Sequence, residues 1–487
     1  MAGQGRLIGI GLLAFLALSI LQPPEALSQE QTDPVPPLRT EEPLARILAD
    51  LEIFIPRRME QESVPGLSIA LVRDRKIVWK KGFGVANTFS ARPVTPQTVF
   101  EVASNSKVVT AYLALRLAEL GQLALDEPVR GQLYEPWLPS SVFGDRVTVR
   151  HLASHSSGLT DNLFPLDKTV GFEPGSAFLY SGVGFLYLQA AIEQIAGESL
   201  EAAARRLVFE PLGMSSSSFV NSDEVRSRLA NGHMSYMLPL LGILLPFVVL
   251  SLAVTTVLRV GRRMAKGTWK AGPILTWSGL AGSLVMTLAI LVFLLGRALP
   301  HLVVMAFVCG SVYVGCVIAW YLVGRGLARR LIQHEVFRQV LTSVWVVAGV
   351  LGLLWIGGRI SGPVVTWPSP SPSAVGSLRT TAGDLALMLL EVSNPEHLGP
   401  ELGAQLREPQ IAIGERFSWG FGIGIQHSSQ GNALWQNGMT FGYRSVMVMY
   451  PEQGIGVVVQ TNSQQGLPLA YEVAHRAVGG AAHWMVF

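Results

Sequence analysis

The sequence predicts an α+β fold, an antiparallel sheet flanked by helices, interrupted by a four-span helical membrane insert. Three observations lead there. Strand-like segments gather at two distant places, LSIALV and KIVWKKGFGV (67–85) and then WGFGIGIQ, RSVMVMY and IGVVVQTN (419–462). Helical periodicity precedes the first group and follows the last. Four uncharged apolar runs, each long enough to cross a bilayer, lie between them. Runs of strands beside runs of helices belong to α+β architectures rather than to alternating α/β ones.

Taken in order, residues 1–28 carry one basic residue, an apolar core and a small-residue ending at Ala26-Leu27-Ser28, which suits a secretory signal peptide. Leu44, Ile47, Leu48, Leu51, Phe54 and Ile55 then follow helical period. The two strands that come next flank a charged turn, Arg73-Asp74-Arg75, and read as a hairpin. After a helical region over 100–230 come the apolar runs 236–258, 271–296, 298–324 and 339–358. Arg259, Arg262, Arg263, Lys266 and Lys270 follow the first run, and Arg325, Arg329, Arg330 and Arg338 follow the third. The positive-inside rule places both loops in the cytoplasm. The expectation is a multi-pass protein of the cytoplasmic (inner) membrane whose catalytic domain is extracytoplasmic. A Pro/Ser-rich linker, 362–373, leads out of the insert, and LPLAYEVAHRAV (467–478) closes the chain as a helix. The domain expectation is a signal peptide (1–28), a first domain part (38–235), the transmembrane insert (236–361) and a second domain part (362–487).

Composition excludes several classes. A net charge of +3 and the lack of a basic aromatic patch give no sign of nucleic-acid binding. The two cysteines, Cys309 and Cys316, both lie in an apolar run and cannot staple the remainder. No Cys/His cluster has metal-ligand spacing, so neither a metal nor another cofactor is expected.

One short stretch carries chemistry. In EVASNSKVVT (101–110), Ser104 and Lys107 stand three apart where a helix begins, so hydroxyl and amine share a face. A neutral amine in that position takes the serine's proton and makes it a nucleophile for acyl transfer. Ser-x-x-Lys alone is a weak signal, because average residue usage yields about one or two by chance in such a length.

Five ordered blocks supply the partners: FEVASNSKVVTA, VTVRHLASHSSGL, FEPGSAFLYSGVGFLYLQAAIEQIAG, FEPLGM and GSLRTTAGDLA. In this order they resemble the serine β-lactamase-like hydrolases, which include class C β-lactamases, D,D-peptidases, D-aminopeptidases and carboxylesterases. The resemblance covers nearly all of 38–235 and 362–487 and none of the insert. It implies a β-lactamase/transpeptidase-like fold and the roles that follow. Ser104 matches the nucleophile and Lys107 its proton acceptor. Tyr180 matches the tyrosine of the family's Tyr-x-Asn element, relaying the proton to the leaving group. Gly182 replaces that element's asparagine and removes an amide that would hold a substrate carbonyl, a change common among the esterase-like members. Gln436-Asn437-Gly438 stands where the family has Lys-Thr-Gly or His-x-Gly, so Gln436 supplies hydrogen bonds but no charge. Gly438 meets the need for a bare strand edge beside substrate. The backbone N–H groups of Ser104 and Met439 would form the oxyanion hole. His151, His155 and Asp384 read as scaffold, with Asp384 capping a helix start.

The reading is a membrane-tethered exported serine hydrolase, an esterase or peptidase, acting through a Ser104 acyl-enzyme. Its partners would be a small-molecule or peptide substrate and the lipid bilayer, with esters or D-amino-acid-type amides as substrates. The alternatives are a penicillin-binding or sensing receptor and, because of Gln436, a catalytically weak binding scaffold.

Overall fold

A computed structural model describes residues 35–163, 166–235, 361–363 and 372–486. The first helix, α1 (Leu44–Gln61), leads into β1 (Gly66–Arg73), β2 (Lys76–Asn87), β3 (Arg92–Pro93) and β4 (Phe100–Glu101). Two long helices follow, α2 (Asn105–Glu119) and α3 (Gly182–Ala196), with shorter helical pieces around them. Then come β5 (His233–Ser235), β6 (Ser361–Pro363), β7 (Arg379–Thr380) and α4 (Ala382–Ser393). The carboxy-terminal part contains β8 (Ile411–Ala412), β9 (Phe417–Trp419), β10 (Gly424–Gln426), β11 (Ala433–Thr440), β12 (Tyr443–Tyr450) and β13 (Ile455–Thr461). It ends on α5 (Leu467–Val478) and a short 3₁₀ turn.

Nine strands form one sheet in the order β3-β2-β1-β13-β12-β11-β10-β9-β8, and every pairing in it is antiparallel. The β1–β13 ladder unites the two distant halves of the sequence, with Ile69 opposite Val459 and Ala70 opposite Val458. Asp74 and Arg75 both adopt positive φ (52° and 56°), the conformation of a two-residue hairpin turn whose twist matches the strands it joins.

The central strands are apolar on both faces because both faces are covered. Leu67, Ile69, Val446, Val448, Val457 and Val459 pack with Ile47, Leu51 and Ile55 of α1 and Leu469 and Val473 of α5. Ala70, Leu434, Met447 and Val458, one residue out of phase, face the core built on α2, α3 and α4. Arg58 and Glu472 join α1 to α5 through two contacts of 2.7 Å. The site described below lies on the α2 side of the sheet.

The four-span helical membrane insert is corrected. Among the described residues, no helix is long and apolar enough to cross a membrane. The longest, α1, carries Arg46, Asp50, Glu52, Arg57, Arg58 and Glu60, and the apolar surfaces of α2, α3 and α4 are buried within the core instead. The four apolar runs between 236 and 358 lie outside the described residues, as does the expected signal peptide. The multi-pass inner-membrane placement therefore has no support and is not carried forward. What the structure does show is that β5 pairs with β6, Ser235 opposite Ser361, so these two positions, distant in sequence, are adjacent.

Candidate active site

Ser104 stands where an extended segment turns into α2. The turn is tight: Ala103 has a φ of +46°, a left-handed conformation unusual for a residue other than glycine. The N–H groups of Asn105 and Ser106 donate to the carbonyls of Val102 and Ala103 at 3.1 and 2.8 Å, which closes the first turn. Strained backbone of this kind concentrates at functional positions. One turn further on, the Lys107 Nζ donates to the Ser104 Oγ at 3.2 Å and to the Val375 carbonyl at 2.9 Å. Lys107 is only 2% exposed, so its amino end is fixed by these two acceptors rather than by water.

Tyr180 approaches from the loop before α3. The Lys107 Nζ lies over its ring, 5.1 Å from the centroid, and 5.8 Å from that of Phe185. The next residue, Ser181, is the N-cap of α3, its hydroxyl accepting the Gly184 N–H at 2.7 Å. Gly182 opens the helix and donates its N–H to Asp161 Oδ1 at 2.6 Å. A Cβ on Gly182 would lie 2.6 Å from that same oxygen, so Asp161 occupies the space that an asparagine side chain would need here.

The third wall is β11. Its ladder with β10 ends at Trp435, opposite Gly424, whereas its ladder with β12 runs on to Thr440. Gln436–Thr440 thus have a strand partner on one side only. Gly438 packs directly against the nucleophile's turn: a Cβ there would stand 2.0 Å from the Val102 carbonyl oxygen. Ser445, opposite Gly438, donates to that oxygen at 3.0 Å and accepts from Asn105 Nδ2 at 2.6 Å. This lock seats the start of α2 on the sheet. Gln436 is buried, its Nε2 donates to the Asn437 carbonyl at 2.8 Å, and its Oε1 has no hydrogen-bond partner among the described residues.

The sequence-derived residues therefore divide. Ser104, Lys107 and Tyr180 come together, Gly438 abuts their turn, and Gln436 shares the face of Leu434, toward α2. Asn437 points the other way, its Nδ2 donating to the Tyr471 hydroxyl of α5 at 2.7 Å. Met439 follows Gly438 and is 54% exposed. Asp384 does not cap its helix: Thr381 does, accepting the Asp384 N–H at 3.1 Å, while the Asp384 carboxylate ties down Ser216 and Ser217. His151 accepts the Thr148 N–H in a capping box, a scaffold role. His155 is fully buried, and desolvation, with the Lys107 charge adding to it, holds its imidazole well below the usual range. Two contributors had no sequence signal: the Val375 carbonyl, which any residue type supplies, and Asp161, outside every quoted motif element. Among the described residues no group of His, Cys, Asp and Glu is placed to hold a metal ion.

A family model described as Beta-lactamase matches residues 51–251 and 329–481, which is most of the chain. The chain belongs to the beta-lactamase family. Members of this family are serine hydrolases, among them esterases, amidases and peptidases. Esterase EstB of Burkholderia gladioli is 30% identical over 213 residues, covering 37% of this chain and 54% of the relative. The match thus spans only about half the length of that curated relative. Among solved structures, the octameric penicillin-binding protein homologue from Pyrococcus abyssi aligns with a TM-score of 0.55 at 21% identity, over 88% of this chain and 76% of that one. EstCE1, a hydrolase with promiscuous acyltransferase activity, aligns with a TM-score of 0.55 at 18% identity, over 89% of this chain and 98% of that one. At these identities the two structures establish the beta-lactamase fold and nothing finer.

Proposed function

We propose that this beta-lactamase family member hydrolyses small carboxylic esters, or D-amino-acid-type amides, through an acyl-enzyme on Ser104. The observation that carries the reading is the 3.2 Å contact between Lys107 Nζ and Ser104 Oγ, buried beside the Tyr180 ring. As the Ser104 oxygen attacks the substrate carbonyl, its proton passes to Lys107 in its neutral form. Tyr180 hands a proton to the departing alcohol or amine, and water then releases the acyl group by the reverse transfers. The backbone N–H groups of Ser104 and Met439 stabilise the oxyanion, and the one-sided edge of β11 receives the substrate. Ester chemistry is favoured because Asp161 fills the space beside Gly182 and because Gln436 brings no charge to bind a carboxylate. Similarity to an esterase points the same way.

The test is turnover of p-nitrophenyl acetate and butyrate with fluorophosphonate labelling, on wild type and Ser104→Ala. Loss of both with Ser104→Ala is expected; turnover that survives the substitution ends the proposal. A second reading is acylation without release, as in a penicillin-binding protein, and the non-ionisable Gln436, tied to the Asn437 carbonyl, favours it. Stoichiometric labelling by a fluorescent penicillin with no ester turnover would select that reading.

A further inference from the structure

We propose that His155 is the positioning residue for Tyr180, holding the tyrosine through the backbone N–H groups of the residues on either side of it. Tyr180 belongs to no helix or strand, so no ladder fixes it. Its two neighbours are both bonded to His155, and Ser181 is held as well by its N-cap bond to the Gly184 N–H and by its hydroxyl's 2.8 Å bond to the Thr160 carbonyl. The Leu179 N–H donates to the His155 carbonyl at 2.8 Å, and the Ser181 N–H donates to His155 Nδ1 at 3.0 Å. Between these two bonds the imidazole lies tilted by 32° against the Tyr180 ring, with centroids 4.2 Å apart. Backbone before, backbone after and the ring itself therefore all meet His155.

The surroundings of His155 make this clamp rigid. Phe178, Phe185 and Trp419 enclose the imidazole at centroid distances of 5.9, 5.1 and 5.2 Å. Its φ of +56° is left-handed, a conformation that ordinary turns assign to glycine, and it brings the carbonyl and the ring nitrogen to the same stretch of loop. Because Nδ1 accepts a hydrogen bond, the ring proton sits on Nε2, which has no hydrogen-bond partner among the described residues. Protonating Nδ1 would remove the acceptor and place a second cation near Lys107, so the clamp exists only with a neutral ring. The burial that depresses the imidazole keeps it in that form. Nothing here requires His155 to touch substrate. It acts through Tyr180, and the inference therefore rests on the proposed role of Tyr180.

The experiment compares His155→Asn with His155→Gln. An asparagine amide oxygen reaches the place of Nδ1 and tolerates positive φ, whereas a glutamine amide reaches the place of Nε2. In p-nitrophenyl butyrate hydrolysis, His155→Asn should keep kcat within a few-fold of wild type. His155→Gln should lose kcat on the order of 10²-fold with KM little changed, as expected when a reacting group is misplaced by about 1 Å. Combined with Tyr180→Phe, the glutamine variant should be no slower than Tyr180→Phe alone, which a merely structural defect would not reproduce. The inference is overturned if His155→Gln keeps wild-type kcat, or if its loss multiplies onto that of Tyr180→Phe. Should His155→Gln not fold, a folded His155→Asn that loses kcat as heavily overturns it equally. Wild-type turnover by Tyr180→Phe would instead remove the parent mechanism, and this inference with it.

Discussion

Replacing Gly438 with alanine should destabilise the protein and cripple Ser104 together. At a strand position with ordinary φ, Gly→Ala normally stabilises by about 0.4–1 kcal/mol, because the unfolded chain has fewer states to lose. Gly438 is not among the residues with positive φ, so nothing in its own backbone forbids alanine. The obstacle is the neighbour. The added Cβ would stand 2.0 Å from the Val102 carbonyl oxygen and 2.6 Å from Ser445 Oγ, against 3.4–4 Å for ordinary contact. The partner is backbone, and it is anchored: the Val102 oxygen accepts from Asn105 N and Ser445 Oγ, and the Val102 N–H donates to the Leu378 carbonyl. Overpacking costs about 1–3 kcal/mol, and each hydrogen bond broken by the shift adds about 0.5–1.5 kcal/mol. The net expectation is a loss of about 2–4 kcal/mol after the entropic gain. Val102 is two residues from Ser104, so a shift of about 1 Å there also predicts acylation slower by about 10²-fold. Urea unfolding gives the stability, and the rate of fluorophosphonate labelling gives the acylation. A Gly438→Ala protein with an equal or higher urea midpoint and wild-type labelling would refute the reasoning, because Val102 and Gly438 would not then be in contact.

Three other outcomes are expected. Lys107→Ala should slow acylation by about 10²–10⁴-fold, since it removes the proton acceptor 3.2 Å from Ser104 Oγ; labelling kinetics at the wild-type rate would contradict the assignment. Gln436→His should preserve or raise p-nitrophenyl ester turnover, and a strict loss comparable to Ser104→Ala would show that the amide itself is required. The third concerns acid stability: His155 and His233 are both fully buried and both held below the usual imidazole range, chiefly by desolvation. The folded pKa lies below the unfolded one, so full stability is present above pH about 6.5 and is lost as pH falls, while only the unfolded chain takes up the proton. Each contributes a slope of up to about 1.4 kcal/mol per pH unit, and His155→Asn should flatten the urea-measured slope between pH 6.5 and 5.5 accordingly; an unchanged slope counts against a neutral buried ring.

Much of the scaffold was legible because it depends on periodicity. The α1 apolar stripe, the β1–β2 hairpin and the strands RSVMVMY and IGVVVQTN each repeat on a local rule, and the structure places a helix or strand at each; WGFGIGIQ, expected as one strand, is instead split, Trp419 ending β9 and Gly424–Gln426 forming β10 across a bend at 420–423. Periodicity also misled. Long uncharged runs between 236 and 358 satisfy the length criterion for a bilayer, yet among the described residues no helix meets it. A window of hydropathy reads apolar content without reading what covers it: β13 is buried along its whole length within the sheet. At the site, side chains with reactive groups could be found from sequence, whereas their holders could not. Ser104 and Lys107 became candidates through their spacing only together with the ordered blocks around them, and the structure places the two side chains in contact; the Val375 carbonyl and the left-handed turn at Ala103 are properties of backbone, to which many sequences would be equal.

The direction of Asn437 shows how far a motif alone can be trusted on a strand. Read as a triplet, Gln436-Asn437-Gly438 offers two polar side chains to a substrate. A strand allows only alternate residues to face one side, so Gln436 and Gly438 share the α2 face and Asn437 is committed to the other. Its bond to Tyr471 follows from that parity. The same parity sharpens what Gln436 can do. It lies on the correct face, but its Nε2 is engaged by the carbonyl of the next residue, leaving the buried Oε1 as its unpaired atom. A neutral amide, with a free acceptor and one remaining N–H, rather than a cation, is therefore what β11 offers at this position. The acceptor suits a substrate or a tyrosine that donates a proton, and the amide brings a carboxylate no opposite charge. The proposed preference for neutral esters over carboxylate-bearing substrates thus rests on how Gln436 is engaged, as well as on the absence of a lysine or histidine.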